Sequence, residues 1–133
     1  MAVADGAGLP LAILATSASP HEVKLVGTTI EHRLIQEKPE KLIGDKAYDS
    51  DPLDEELAEL GIELIAPHKQ IRKKAKTQDG RKLRRYKRRW KVERFFAWLQ
   101  NFRRVATRFD YKAENYLGFV HLACIQILLK SYL

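Results

Sequence analysis

Eighteen lysines and arginines stand against three acidic residues between positions 69 and 112 of this 133-residue chain, a local net charge of +15. Charge of that density cannot enter an apolar core. The segment must therefore lie on a surface, and it would repel itself unless an anion neutralises it. The commonest polyanion that does so is a nucleic acid, which binds cationic side chains by releasing condensed counterions. An acidic protein or an anionic membrane surface is the competing partner. The rest of the chain is of opposite character: residues 1–68 hold five basic and thirteen acidic residues, and residues 113–133 hold one of each.

A chain that is 45% apolar and 31% charged has the balance of a globular protein, and its length suits one domain over residues 1–133. The longest apolar run, Tyr116 to Leu129, is broken by His121 and Gln126 and is too short to span a bilayer. No basic region precedes an apolar core at the N-terminus, so no secretory signal is read there. The single Cys124 excludes an internal disulfide and a cysteine zinc site. These features predict a cytoplasmic protein without a membrane partner.

Apolar runs at Met1–Ala4 and Leu9–Thr16, separated by Asp5-Gly6-Ala7-Gly8, predict an antiparallel hairpin. Val23, Val26, Ile30, Leu34 and Ile35 predict a helix over Val23–Gln36, ended by Pro39. Lys41–Ala47 reads as a strand. Asp51-Pro52 reads as a helix start with Asp51 as the cap, Leu53, Leu57 and Leu60 as the buried stripe, and Gly61 as the stop. Ile62–Ala66 is the next strand, and His68–Gly80 reads as a mobile loop. A helix follows from Arg81 to about Phe102, and after an arginine-rich connection Glu114–Leu133 forms an apolar final helix. Strands alternating with helices predict an α/β fold whose mixed sheet is covered by helices.

Two carboxylates attract a chemical reading. Asp45 ends a predicted strand in Gly44-Asp45-Lys46-Ala47-Tyr48-Asp49-Ser50, where an Asp also commonly closes a turn. Glu93 is the only carboxylate between Asp79 and Asp110, set among arginines and lysines. Tyr86, Arg89, Glu93 and Gln100 are spaced by three, four and seven residues and so share one helical row. Val92, Phe95, Phe96, Leu99 and Phe102 form the neighbouring apolar stripe, which would hold that row at the edge of the sheet. A carboxylate among bases suits metal-dependent phosphodiester chemistry, because it ligates a hard divalent cation while the bases hold phosphates.

At these residues the chain resembles the DDE-class transposases of insertion sequences, whose catalytic domain is ribonuclease H-like. The matching motifs are Gly44-Asp45-Lys46-Ala47-Tyr48-Asp49-Ser50, Tyr86-x2-Arg89-x3-Glu93, the run Arg94–Arg104 and the segment Glu114-Asn115-Tyr116-Leu117-Gly118-Phe119. The resemblance covers essentially the whole chain. Gln100 departs from the lysine found there in many members.

The resemblance implies a ribonuclease H-like mixed sheet flanked by helices and lacking its first strand, the strand that carries the first catalytic Asp. Asp5 sits where the hairpin between the family's second and third strands would be, so a turn role is expected for it. The resemblance further implies that Asp45 and Glu93 are catalytic metal ligands for two Mg²⁺ (or Mn²⁺) ions. Lys46, Tyr86, Arg84, Arg85, Arg88, Arg89 and Arg94 would contact DNA, with the basic loop and helix 69–112 tracking it. The implied activity is strand cleavage and transfer at element ends in DNA transposition, incomplete in this chain without the first Asp. Implied partners are DNA (element ends and target), an upstream transposase segment or a second copy, with a nucleoid location when DNA is bound. The alternative is a non-catalytic remnant that binds DNA or pairs with full-length transposase.

Overall fold

The chain opens as the predicted hairpin: β1 (Ala2–Ala4) pairs antiparallel with β2 (Pro10–Ile13), Ala2 opposite Ile13 and Val3 opposite Ala12. The structure is a computed structural model that describes residues 1–17, 19–73, 75–76 and 84–133, the side chain of Arg88 excepted. Alternation along β1 gives it two apolar faces. Met1 and Val3 pack against one hydrophobic cluster, Ala2 and Ala4 against another. In the turn, Asp5 Oδ1 accepts the Ala7 and Leu9 N–H groups, both at 2.8 Å. That carboxylate closes the hairpin, as its position in the sequence predicts.

The predicted helix over Val23–Gln36 forms only in its middle. A 3₁₀ turn at Glu22–Leu25 leads into α1 (Val26–Glu31), after which the chain bends back. The Leu34 N–H donates to Leu11 O at 2.7 Å, and Arg33 forms an isolated bridge with Ala12. The outer edge of β2 offers unpaired backbone groups, and meeting them outweighs another turn of helix. Leu34 and Ile35 are consequently exposed rather than buried.

β3 (Lys41–Ile43) and β4 (Glu63–Ile65) pair in parallel, Leu42 opposite Leu64, with α2 (Asp51–Glu59) as the crossover. Both strands are shorter than predicted. Ser50 occupies the cap position of α2 without a side-chain cap bond, and Asp51 is already helical. The cap predicted at Asp51 is therefore one residue late, and its carboxylate is engaged instead by Arg72 at 2.7 Å. Leu53 and Leu57 are buried as expected, and Gly61 leaves the helix at φ +76°, a conformation glycine adopts without strain. These side chains join Val26, Ile30, Ile62, Leu64 and Ala66 in the cluster that Met1 and Val3 complete.

The helices of the second half build the other cluster. α3 (Trp90–Gln100), α4 (Arg103–Ala106) and α5 (Ala113–Tyr132) follow in order, and Phe95, Leu99, Val120, Ala123, Cys124 and Ile127 pack with Ile13. Phe96, predicted in the buried stripe, is 43% exposed. The single helix predicted from Arg81 also divides: residues 81–83 lie outside the described residues, Arg84–Arg88 is a 3₁₀ turn, and the α-helix starts at Trp90. Arg84, Arg85, Lys87, Arg88 and Arg89 would place like charges three and four residues apart on a continuous α-helix, where they repel. A mixed helix-and-strand architecture is thus present, but among the described residues it contains two two-stranded sheets and not one mixed sheet. No described helix is long and apolar enough to cross a membrane.

Candidate functional site

The connection from β3 to α2 carries the first candidate carboxylate. A Cβ at Gly44 would lie 3.0 Å from Tyr48 Cβ and Cδ2, so glycine lets the ring fold over the backbone. Asp45 lies two residues beyond the strand and caps a 3₁₀ turn at Lys46–Tyr48, its Oδ1 accepting the Ala47 N–H at 2.7 Å. That bond fixes the carboxylate's direction. Oδ2 carries no protein bond among the described residues, and Lys46 beside it is exposed. Tyr48 ties the turn to the segment before α1 by donating its hydroxyl proton to Glu22 Oε2 at 3.2 Å. Burial first, and then the nearby Glu22 charge, raise the Tyr48 pKa well above the usual phenol value, which keeps it a neutral donor.

The densest polar network lies one turn further on, at a residue that sequence reasoning left as part of a motif without a role. The Asp49 side chain is only 4% exposed. It receives His68 Nδ1 at 2.9 Å, the Lys69 N–H at 2.8 Å and Arg72 Nη1 at 2.8 Å, while Arg72 Nη2 reaches Asp51. Burial opposes ionisation of Asp49, but the Lys69 N–H, His68 and Arg72 outweigh it and hold the carboxyl below its ordinary range. The His68–Gly80 segment, predicted as mobile, is therefore fastened at its start as far as Arg72. Positions 74 and 77–80 lie outside the described residues. The partners are up to 23 positions apart, so no local spacing could have announced them.

The second candidate carboxylate stands in the middle of the chain's basic block. Arg89 lies over the Tyr86 ring at 5.5 Å and its Nη2 meets Glu93 Oε1 at 3.2 Å. The structure thus joins three members of the predicted row at the start of α3, in a surface-accessible form: the Arg89 and Glu93 side chains are 47% and 60% exposed. Arg84 and Arg85 are exposed on the preceding 3₁₀ turn, and the Arg88 side chain lies outside the description. Gln100 is exposed at the far end of the helix.

Arg94 is stacked and bonded within the chain. Its guanidinium lies between the Trp90 and Trp98 rings, 4.8 Å from each centroid, and donates to Ala7 O. Lys91 donates to Gly6 O in the same hairpin turn. Both cations fasten the turn after β1 onto α3. The signal for this was present as Trp90-x3-Arg94-x3-Trp98, a spacing that stacks an arginine between two rings on one helical face.

The donor chemistry is that of a hard cation, carboxylate oxygen among bases. Among the described residues, no three His, Cys, Asp or Glu side chains form a group able to hold a metal ion.

Comparison with known proteins agrees with the resemblance. The Transposase DDE domain family matches residues 1–128. A transposase described for insertion sequence element IS402 of Burkholderia cepacia is 33% identical over 135 residues, covering 94% of this chain and 59% of that protein. A transposase described for insertion sequence element IS6501 of Brucella ovis is 33% identical over 131 residues, covering 97% of this chain and 95% of that protein. This chain thus spans about three fifths of the first relative and nearly all of the second. No solved structure matches. With a family match over almost its full length and the Asp45 and Glu93 motifs both present, the chain belongs to the DDE-domain transposases of insertion sequences.

Proposed function

We propose that residues 1–133 form the larger part of a metal-dependent catalytic domain that cuts and joins DNA at the ends of an insertion element. The observation that carries this reading is the Tyr86–Arg89–Glu93 row at the start of α3: an accessible carboxylate paired with an accessible arginine, preceded by exposed Arg84 and Arg85. Asp45 and Glu93 would hold Mg²⁺ or Mn²⁺; when bound, the ions supply activation of the attacking oxygen and stabilisation of the leaving one. Arg89 would exchange its contact with Glu93 for a backbone phosphate, with Tyr86 beneath it fixing its direction. Lys46 and the block 69–112 would carry the strand beyond the site.

The sheet pairing supports a ribonuclease H-like reading with one strand supplied from elsewhere. Met1 and Leu14 exchange both of their backbone bonds, at 2.8 and 2.9 Å, so antiparallel alternation makes Val3 and Ala12 the next bonded pair. Ala2 and Ala4 then present their N–H and C=O groups to the opposite edge, where no strand pairs among the described residues. β3 likewise pairs with β4 alone. A strand between β1 and β3 would merge the two sheets, cover both edges and bring the third carboxylate. Such a strand could come from an upstream segment of the transposase or from a partner chain.

The second reading, a DNA-binding remnant without chemistry, is favoured by the lack of a third ligand among the described residues. One experiment separates the two: strand cleavage of element-end DNA with Mg²⁺, by this chain alone and with an added segment bearing Asp. Restoration by the segment, followed by loss of cleavage in Asp45→Ala and Glu93→Ala with DNA binding retained, supports the enzyme. Cleavage that survives either substitution removes those carboxylates from the site. DNA binding is tested by its salt dependence: six to eight phosphate contacts give a slope of log K against log salt of about −5 to −7, flattened when Arg84, Arg85, Arg88 and Arg89 become Ala. A salt-insensitive or absent complex would favour an acidic partner.

A further inference from the structure

The arginine-rich connection between α3 and α5 follows the helix that carries Glu93, and it is shaped in a way that packing alone does not explain. Arg108 folds back on its own loop, its Nε donating to Asp110 O at 2.9 Å and its Nη2 to Tyr111 O at 3.0 Å. Its guanidinium lies 5.7 Å from the Tyr116 ring of α5, and the Tyr116 hydroxyl donates to Val105 O at 3.1 Å. These bonds hold the segment 105–111 against α5. They also turn two aromatic side chains outward: Phe109 is 61% exposed and Tyr111 is 98% exposed. A loop that is tied down on its polar side while its phenyl ring faces water forgoes the gain available from burying that ring.

Phe109 does not stand alone. With Arg103 and Arg104 of α4 it lines a cleft of about 360 Å³, within the size range of small-ligand sites. Arg104 is oriented from behind, 5.0 Å over the Phe119 ring and 3.7 Å from Asp110 Oδ1. Arg103 is exposed and makes no side-chain bond among the described residues. The cleft therefore offers one aromatic face, one pre-oriented guanidinium and one guanidinium still open to a ligand. Asp110 is not among the residues that line it, and its charge disfavours a phosphate on the Arg104–Asp110 side.

We propose that this cleft holds an unpaired nucleotide of a DNA strand, its base stacked on Phe109 and its phosphate held by Arg103. An aromatic face can stack only on a base that has left its duplex neighbours, whereas arginines alone would accept either form. This combination is the one that single-strand binding sites use. The inference rests on the DNA-acting reading above and adds to it a preference for unpaired over paired strand at one defined place.

The test compares the affinity of the whole chain for a short oligothymidylate, for a duplex of equal length and for thymidine monophosphate. Phe109→Ala should weaken the oligothymidylate about tenfold, as expected for the loss of one base–aromatic stack, and change duplex binding less than about twofold. Phe109→Trp should keep single-strand affinity, because it keeps a π-face. Arg103→Ala should weaken both forms and flatten their salt dependence. Duplex binding by the wild type with no effect of Phe109→Ala on the single strand would overturn this inference and leave the DNA-acting reading intact. A wild-type chain that binds neither DNA would overturn both. If thymidine monophosphate binds as tightly as the oligonucleotide, the ligand is a free nucleotide and the assignment to a strand is wrong.

Discussion

The two carboxylate-bearing regions are built on opposite plans. Around Asp45 the backbone is fixed by a side-chain cap, the Tyr48–Glu22 bond and a buried Asp49 with three partners. Around Glu93 the interactions are an accessible ion pair and a ring contact, each worth about 1 kcal/mol or less. On the proposed reading the difference suits a surface that grips a polymer near a fixed point: groups that would meet phosphates have to be ready to exchange partners, whereas a loop that would direct a metal ligand gains from having no alternative. Stability and binding should accordingly respond to different substitutions.

The largest effect is expected at Asp49. Replacing it with Ala removes the bonds from His68, the Lys69 N–H and Arg72, while Arg72 keeps Asp51, and should lower unfolding free energy by about 2 kcal/mol in urea titration. A loss under about 1 kcal/mol would erase the contrast between the regions. The same carboxylate sets an acid dependence. Its folded pKa is depressed, so its stabilisation is present in full above the unfolded carboxylate value of about 4 and is lost as pH falls through the lower folded value. The urea midpoint should therefore drop below about pH 4 in the wild type and drop less in Asp49→Asn.

A smaller effect is expected inside the basic block itself. Arg94→Ala removes two ring contacts and a bond to the β1–β2 turn and should cost about 1–2 kcal/mol. Arg89→Ala, five residues earlier, should change stability by no more than about 0.5 kcal/mol while weakening DNA binding measurably. Equal stability losses at the two positions would show that the start of α3 is held as firmly as its interior.

Much of this organisation was legible in the sequence. The hairpin, the parallel pair with its crossover, the stop at Gly61 and the final helix all follow from periodicity and turn chemistry, which are local signals. The failures have non-local causes. The helix predicted over Val23–Gln36 loses its end to the edge of β2, a partner far away in the sequence. Asp45 could be singled out as the charge that ends a predicted strand, and Glu93 as the lone carboxylate of a basic segment. Asp49 could not, since its partners at 68, 69 and 72 were ordinary residues of a polar loop.

The two-faced β1 strand sets how the molecule comes apart. Because Met1 and Val3 belong to one apolar cluster and Ala2 and Ala4 to the other, a one-residue slip in register would exchange every contact on both sides at once. Neither cluster can release the strand without disturbing its neighbour. Amide protons of α2 and of α5, although they sit in different clusters, should therefore exchange with solvent through one shared opening event rather than two independent ones.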